Sequence, residues 1–286
     1  MTGSMAAFTF NDTFFKLLAA DLPFFQALFL RSAVVTAFML ALVRAQGALW
    51  VRAGRRDWGL IALRSLTEAA AAYFFLTALV HLPIANVTAI LQALPLTVTL
   101  GAALVFGEPV GWRRFLAIGI GLVGVLLIVR PGGEGFNLYA IYAVLAVVCV
   151  TVRDLAARRI SVAVPSSFVA LIAILAILAF ASVGAASTEW APFRSMHGLY
   201  LLGCSLFILV AYLFSVMAMR VGEIGFVSPF RYTGLLVALV VGLVVFDEWP
   251  DALTLSGSAI VVATGLFMLW REQVSGRPKS TAGTAP

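Results

Sequence analysis

Six ionisable residues, Asp12, Lys16, Arg31, Arg64, Glu68 and Arg231, stand inside otherwise apolar stretches of this chain. In the middle of a hydrocarbon-embedded helix each costs about 2.5–3.5 kcal/mol on insertion scales, so they must pair, snorkel or face an interior cavity. Asp12 and Lys16 are four residues apart with the acid first, the favourable order for a helical ion pair. They read either as a self-neutralising pair or as part of a solute pathway. Arg64 and Glu68 have the same spacing in the poorer order. Arg64 is close enough to a helix end to snorkel, whereas Glu68 is nearer mid-helix and suits a cavity acid. Arg31 and Arg231 each lie about a third of the way into a stretch, and each reads as lining the pathway or as structural. Pro229 has no amide hydrogen, so the helix around Arg231 is expected to loosen and free carbonyls towards a cavity. A guanidinium there offers a planar fork for a carboxylate or a flat heterocycle. Tyr73 and Tyr232 complete the substrate-binding candidates Asp12, Lys16, Arg31, Glu68, Tyr73, Arg231 and Tyr232, although single aromatics serve packing more often than ligands. Glu108 and Glu248 each end an apolar stretch before a turn with Pro109 or Pro250. They read as caps of the following helix or as gating acids.

The elements that position these groups are membrane helices. Hydrophobic residues make up 62% of the 286 and charged residues 11%, against roughly 25% charged in a soluble domain. The apolar blocks fall near 3–20, 24–43, 59–80, 84–106, 115–130, 136–157, 166–184, 198–219, 224–246 and 252–270. Blocks of this length cross a hydrocarbon layer of about 30 Å. The expected fold is an all-α integral membrane protein of about ten transmembrane helices. The first block is short and lacks a cytoplasmic lead, no cleavable signal peptide is expected, and residues 272–286 read as a disordered cytoplasmic tail.

Other chemistries lack their residues. The net charge of +6 comes from short loops without a basic, aromatic-interleaved stripe, so no nucleic-acid partner is expected. Cys149 and Cys204 lie apart inside apolar blocks, and His81 and His197 are isolated, so no metal and no cofactor are expected. GIGLVG (119–124) satisfies GxGxxG literally, but inside a membrane helix its small residues suit close packing. GRPKST in the tail is half a phosphate loop, and no HExxH or GxSxG occurs, so the chain does not read as an enzyme.

Charge sets the orientation. Arg44, Arg52, Arg55, Arg56, Arg113, Arg114, Arg153, Arg158, Arg159, Arg220, Arg271, Arg277 and Lys279 fall on one side, and only Lys16, Arg130 and Arg194 on the other. The positive-inside rule then places both termini in the cytoplasm.

An internal repeat organises the pathway. Residues 84–109 align without gaps on 224–249 at a shift of 140, which sets Phe106 on Phe246 and Glu108 on Glu248. Asp12, Lys16 and Pro23 match Asp154, Arg158 and Pro165 at a shift of 142. Five crossings per half is an odd number, so the halves, 1–131 and 136–271, are expected to form a 5+5 inverted repeat.

With FNDTFFK (10–16), FLR (29–31), LRS (63–65), PFRY (229–232) and DEWPD (247–251), the pattern resembles the drug/metabolite transporter superfamily with two EamA domains. It is similar to the branch holding S-adenosylmethionine and riboflavin uptake carriers. The resemblance implies a multi-pass inner-membrane secondary transporter that moves a small organic metabolite by alternating access through a central cavity. Membrane lipid and a coupling proton or counter-substrate would be its other partners. An exporter of amino acids or drugs is the alternative, ahead of a membrane-embedded enzyme or a channel.

Overall fold

The computed structural model describes residues 1–49, 51, 53–131, 136–221 and 228–276. Among them the regular structure is entirely helical: α1 (Thr2–Asp21), α2 (Phe24–Ala45), α3 (Arg55–His81), α4 (Ile84–Leu91), α5 (Leu94–Phe106), α6 (Trp112–Val129), α7 (Leu138–Arg159), α8 (Ser166–Ala186), α9 (Ser195–Val221), a 3-10 turn (Ser228–Tyr232), α10 (Thr233–Phe246) and α11 (Ala252–Gly276). Nine spans in the described residues are long and apolar enough to cross a membrane, with α4 and α5 counted as one and Pro229–Phe246 as another. The 20-residue α1 is more polar, carrying Asn11, Asp12 and Lys16, and stands outside those nine. It is nonetheless built into the bundle, with Phe15 and Leu18 fully buried. The helix α11 continues past Trp270 to Gly276; Arg52, Arg277, Lys279 and the end of the tail lie outside the described residues, as does the side chain of Arg220.

Prolines set several boundaries. Pro23, Pro83 and Pro165 immediately precede α2, α4 and α8, where a missing amide hydrogen interrupts nothing. Pro95 cannot donate to the carbonyl four residues back, at Leu91, and α4 ends there. The span expected as one helix over 84–106 is therefore broken at Gln92 and Ala93. The loosening expected around Pro229 takes the form of the 3-10 turn. By the repeat alignment Gln92 corresponds to Tyr232, so both breaks occupy equivalent positions. They also meet: α4 packs on α10, and the Gln92 amide reaches the Arg231 carbonyl oxygen at 3.5 Å.

The most extensive contacts join the halves: α3 with α7, α1 with α9, α6 with α11, and α2 with α8. Exchanging the halves turns α1–α9 into α7–α3 and returns the other two pairs to themselves. Small residues make the α6–α11 seam. A Cβ on Gly124 would stand 2.9 Å from the Gly257 carbonyl oxygen, and one on Gly257 would stand 2.5 Å from that of Gly124. GIGLVG is thus partly a packing surface, with Gly121 and Gly124 against neighbours and Gly119 open. Large apolar residues such as Leu104, Trp112, Val183, Leu202 and Val244 face outward, as lipid-facing residues must.

Candidate functional site

Three layers of polar groups run through the bundle. At one end, which α1 and α3 reach with their C-termini, the Lys16 ammonium donates to Glu248 Oε1 at 2.8 Å and to the Leu82 carbonyl oxygen at 2.7 Å. Glu248 Oε2 accepts from the Ile84 amide at 3.1 Å, satisfying an orphan donor of α4. The Lys16 ammonium also lies 4.8 Å from the centre of the Phe246 ring. This end carries three more ties: Gln26 both donates to the Ala191 carbonyl (2.9 Å) and accepts from its amide (2.8 Å), Arg130 binds Asp251, and Asp21 lies 3.4 Å from His197.

These contacts correct two expectations. Lys16 is not paired with Asp12: the local spacing permits that pair, but a carboxylate from the other half competes for the ammonium. Glu248 caps α4 of the first half, whereas the helix that follows it is capped by Asp251, which accepts from the Thr254 amide at 2.9 Å.

The repeat-equivalent contact at the opposite end is Arg158 to Glu108, at 3.7 Å with side chains 51% and 52% exposed, against 11% and 26% for Lys16 and Glu248. The Phe106 ring, equivalent to Phe246, is covered by the next residue, Arg159, at 4.1 Å. The same local device presents both acids. Gly107 (φ 66°) and Asp247 (φ 52°) end α5 and α10 in the left-handed conformation. The following amides, of Glu108 and Glu248, bond back to the carbonyls of Ala102 and Gly242. These bonds give partners to backbone groups at the ends of the two helices.

Between the two ends lies the third layer. Glu68, midway along α3, sits 3.0 Å from Arg153 on α7 and 3.8 Å from Arg64. Arg153 also holds Asp154 at 2.8 Å. Arg153, grouped in sequence with Arg158 and Arg159 on the basic side, lies inside α7 and joins the halves through Glu68. Its signal was there, since six residues, nearly two helical turns, separate it from Arg159. On α1 and α2, the Asn11 side-chain amide donates to Asp12 Oδ1 at 2.8 Å and accepts from Arg31 Nη2 at 3.2 Å. Tyr212 on α9 is 44% exposed, yet its hydroxyl lies in the fields of Glu68, Arg153, Arg64 and Arg31 from three other helices. The Tyr212 hydroxyl therefore points to the charged layer between the helices and not to lipid.

Asp12, Arg31 and Glu68 thus share one polar layer. Tyr73 sits above it towards the Lys16 end, in ring contact with Phe24, Phe25, Phe74, Tyr142 and Phe180. Arg231 stands apart and exposed in the 3-10 turn, without an ion pair among the described residues. Tyr232 turns towards α11, its hydroxyl filling the space that a side chain at Gly265 would occupy. Of the surface clefts, one lies among Pro109, Gly111–Arg114 and Arg271 and another on the outer face of α6, both remote from this layer.

A multi-pass helical bundle with a polar layer between two halves is the architecture of a membrane transporter. The model for the EamA-like transporter family matches residues 1–130, so the first half is similar to that family. An S-adenosylmethionine uptake transporter of Rickettsia conorii is 24% identical over 273 residues, covering 94% of this chain and 91% of that protein. A pseudopaline exporter of Pseudomonas aeruginosa is 28% identical over 269 residues (90% and 91%), and a riboflavin transporter of Brucella anthropi 26% over 251 (84% and 88%). A crystal structure at 18% identity covers 96% of this chain and 99% of its own with a TM-score of 0.60, a likeness of fold.

Proposed function

We propose that the protein is a secondary carrier that moves a small organic metabolite across the inner membrane by alternating access between inverted halves. The observation that carries this reading is the inequality of two equivalent latches: Lys16–Glu248 is tight and largely buried, while Arg158–Glu108 is long and exposed. Alternation between mirror-related states requires such a pair, one closed while the other is open. The inter-half contacts that exchange into one another, and the two helix breaks at equivalent positions, support the inverted repeat. Glu108 and Glu248 are its gating acids. With both termini in the cytoplasm, the Lys16 end faces outward and the structure is open inward. Asp12, Arg31, Glu68 and Arg153 line a central chamber, and Arg231 stands where the two breaks meet.

Relatives named for uptake of S-adenosylmethionine and riboflavin favour import of a similar metabolite, while the relative named as a pseudopaline exporter supports the reverse direction as the second reading. Purified protein in proteoliposomes should take up labelled S-adenosylmethionine or riboflavin saturably, and unlabelled solute on the far side should accelerate it. Linear, unsaturable flux, or no flux of any small metabolite, would overturn the carrier reading.

A further inference from the structure

Arg31 and Asp12 are the odd pair in the chamber. Arg153 contacts two carboxylates, at 2.8 and 3.0 Å, and Arg64 has Glu68. Arg31 lies in the field of Asp12 but makes no ion pair with it within 4 Å. Asn11 spans them instead, donating to the acid and accepting from the base, so that one amide keeps the two charges apart. The Phe15 ring, 5.5 Å from the guanidinium carbon, fixes Arg31 from one side. Arg31 Nε is buried without a partner.

Two opposite charges in a low-dielectric interior gain most by direct contact, and holding them apart leaves hydrogen-bonding capacity on both. An anionic ligand would satisfy Arg31 and repel Asp12. A cationic one would do the reverse, and an uncharged ring would leave both unmet. A ligand carrying both charges side by side satisfies both without moving net charge into the chamber.

We infer that Arg31, Asn11 and Asp12 form a receptor for an amino-carboxylate zwitterion, with the carboxylate on the Arg31 fork and the ammonium on Asp12. The inference rests on the carrier reading of the same chamber and names its substrate class.

The test is a ligand-stabilisation series on the full-length protein in nanodiscs, because binding to the native state raises its melting temperature. The probes are S-adenosylmethionine, the proteinogenic amino acids and riboflavin, followed by the methyl ester and the N-acetyl derivative of each zwitterion that binds. The expected result is stabilisation by a zwitterion, with both derivatives roughly tenfold weaker or worse, the value of a charge-assisted hydrogen bond. Arg31→Gln should abolish the preference for acid over ester, and Asp12→Asn the preference for free amine over N-acetyl. The acid-to-ester comparison on unmodified protein needs no variant to fold. Stabilisation by riboflavin and by no zwitterion, or equal affinity for acid and ester, would overturn the inference. So would riboflavin transport in proteoliposomes undiminished by Arg31→Gln, which would leave the carrier reading standing. Failure of the unmodified protein to transport any probe would instead sink the carrier reading and this inference with it.

Discussion

The two ends of the bundle are made from the same parts and finished differently. At one, α10 ends in a left-handed residue, Glu248 follows, and a cation from α1 reaches it at 2.8 Å above a phenylalanine ring. At the other, α5 ends in the same way, Glu108 follows, and Arg158 stops at 3.7 Å with both side chains half exposed. The difference lies in what surrounds the pair. Glu248 also receives the Ile84 amide, and Lys16 also donates to Leu82, so the first latch is knitted into the junction of α3 and α4. Among the described residues the side chains of Glu108 and Arg158 make no such bonds to the backbone. A buried pair with extra hydrogen bonds holds a conformation, whereas an exposed one is worth about 0–1 kcal/mol.

The sharpest way to break this comparison is to remove each acid in turn. Glu248→Gln leaves the Lys16 ammonium buried with only neutral acceptors and should destabilise the protein by about 3 kcal/mol, whereas Glu108→Gln should change it by less than about 1 kcal/mol. Melting curves of the two purified variants check this, and equal shifts would mean that the ends do not differ.

Next in size is the seam that both ends share. Gly257→Ala would force α6 and α11 apart, since the new methyl meets the Gly124 carbonyl at 2.5 Å. Overpacking of this kind costs about 1–3 kcal/mol. Melting temperature should fall while the relative accessibility of the two ends stays the same; a changed order would make the seam part of the gate.

The middle layer should respond in activity more than in stability. Glu68→Gln deprives Arg153 and Arg64 of their shared acid and should lower transport about tenfold and alter its pH dependence, with the protein still inserted. Unchanged rates and pH profile would make Glu68 structural.

The smallest effect concerns Asp251, which the hydrogen bond from Arg130 and the amide of Thr254 hold down to about 2. A carboxylate with a lowered folded pKa contributes stability above its unfolded value of 3.8, and that contribution is lost as pH falls through about 2. Asp251 is 54% exposed, so Asp251→Asn should change the melting temperature only slightly at pH 7. The difference from the unmodified protein should shrink as pH falls below 3.8 and vanish only below about 2; a difference that persists there would implicate the cap geometry instead of the charge.

How far the sequence disclosed this arrangement depended on whether the information was local. Apolar length located the spans because burial in lipid needs only continuous hydrophobicity. Pro229 signalled a loosened segment, yet Pro95, which removes the bond to Leu91 by the same chemistry, escaped notice inside an apolar run. Partners across the chain were not legible. Lys16 lies four residues from Asp12 and 232 from Glu248, and spacing rules see only the first. Spacing alone separates Arg153 from Arg159 by nearly two helical turns, but its partner Glu68 comes from α3 and no local rule reaches it. Asn11 passed unremarked beside Asp12, since an uncharged amide stands out only when its two bonds are seen.

The measurement that tests the account most directly is thiol accessibility at the two equivalent rings, in protein whose Cys149 and Cys204 are replaced by serine. Phe106→Cys and Phe246→Cys are each reacted with a membrane-impermeant maleimide in open membrane fragments, with and without Glu248→Gln. The account predicts that position 106 reacts faster in the otherwise unaltered protein and that Glu248→Gln raises the rate at 246 while lowering it at 106. Rates that move together, or an order that does not respond to Glu248→Gln, would contradict alternation between the two ends.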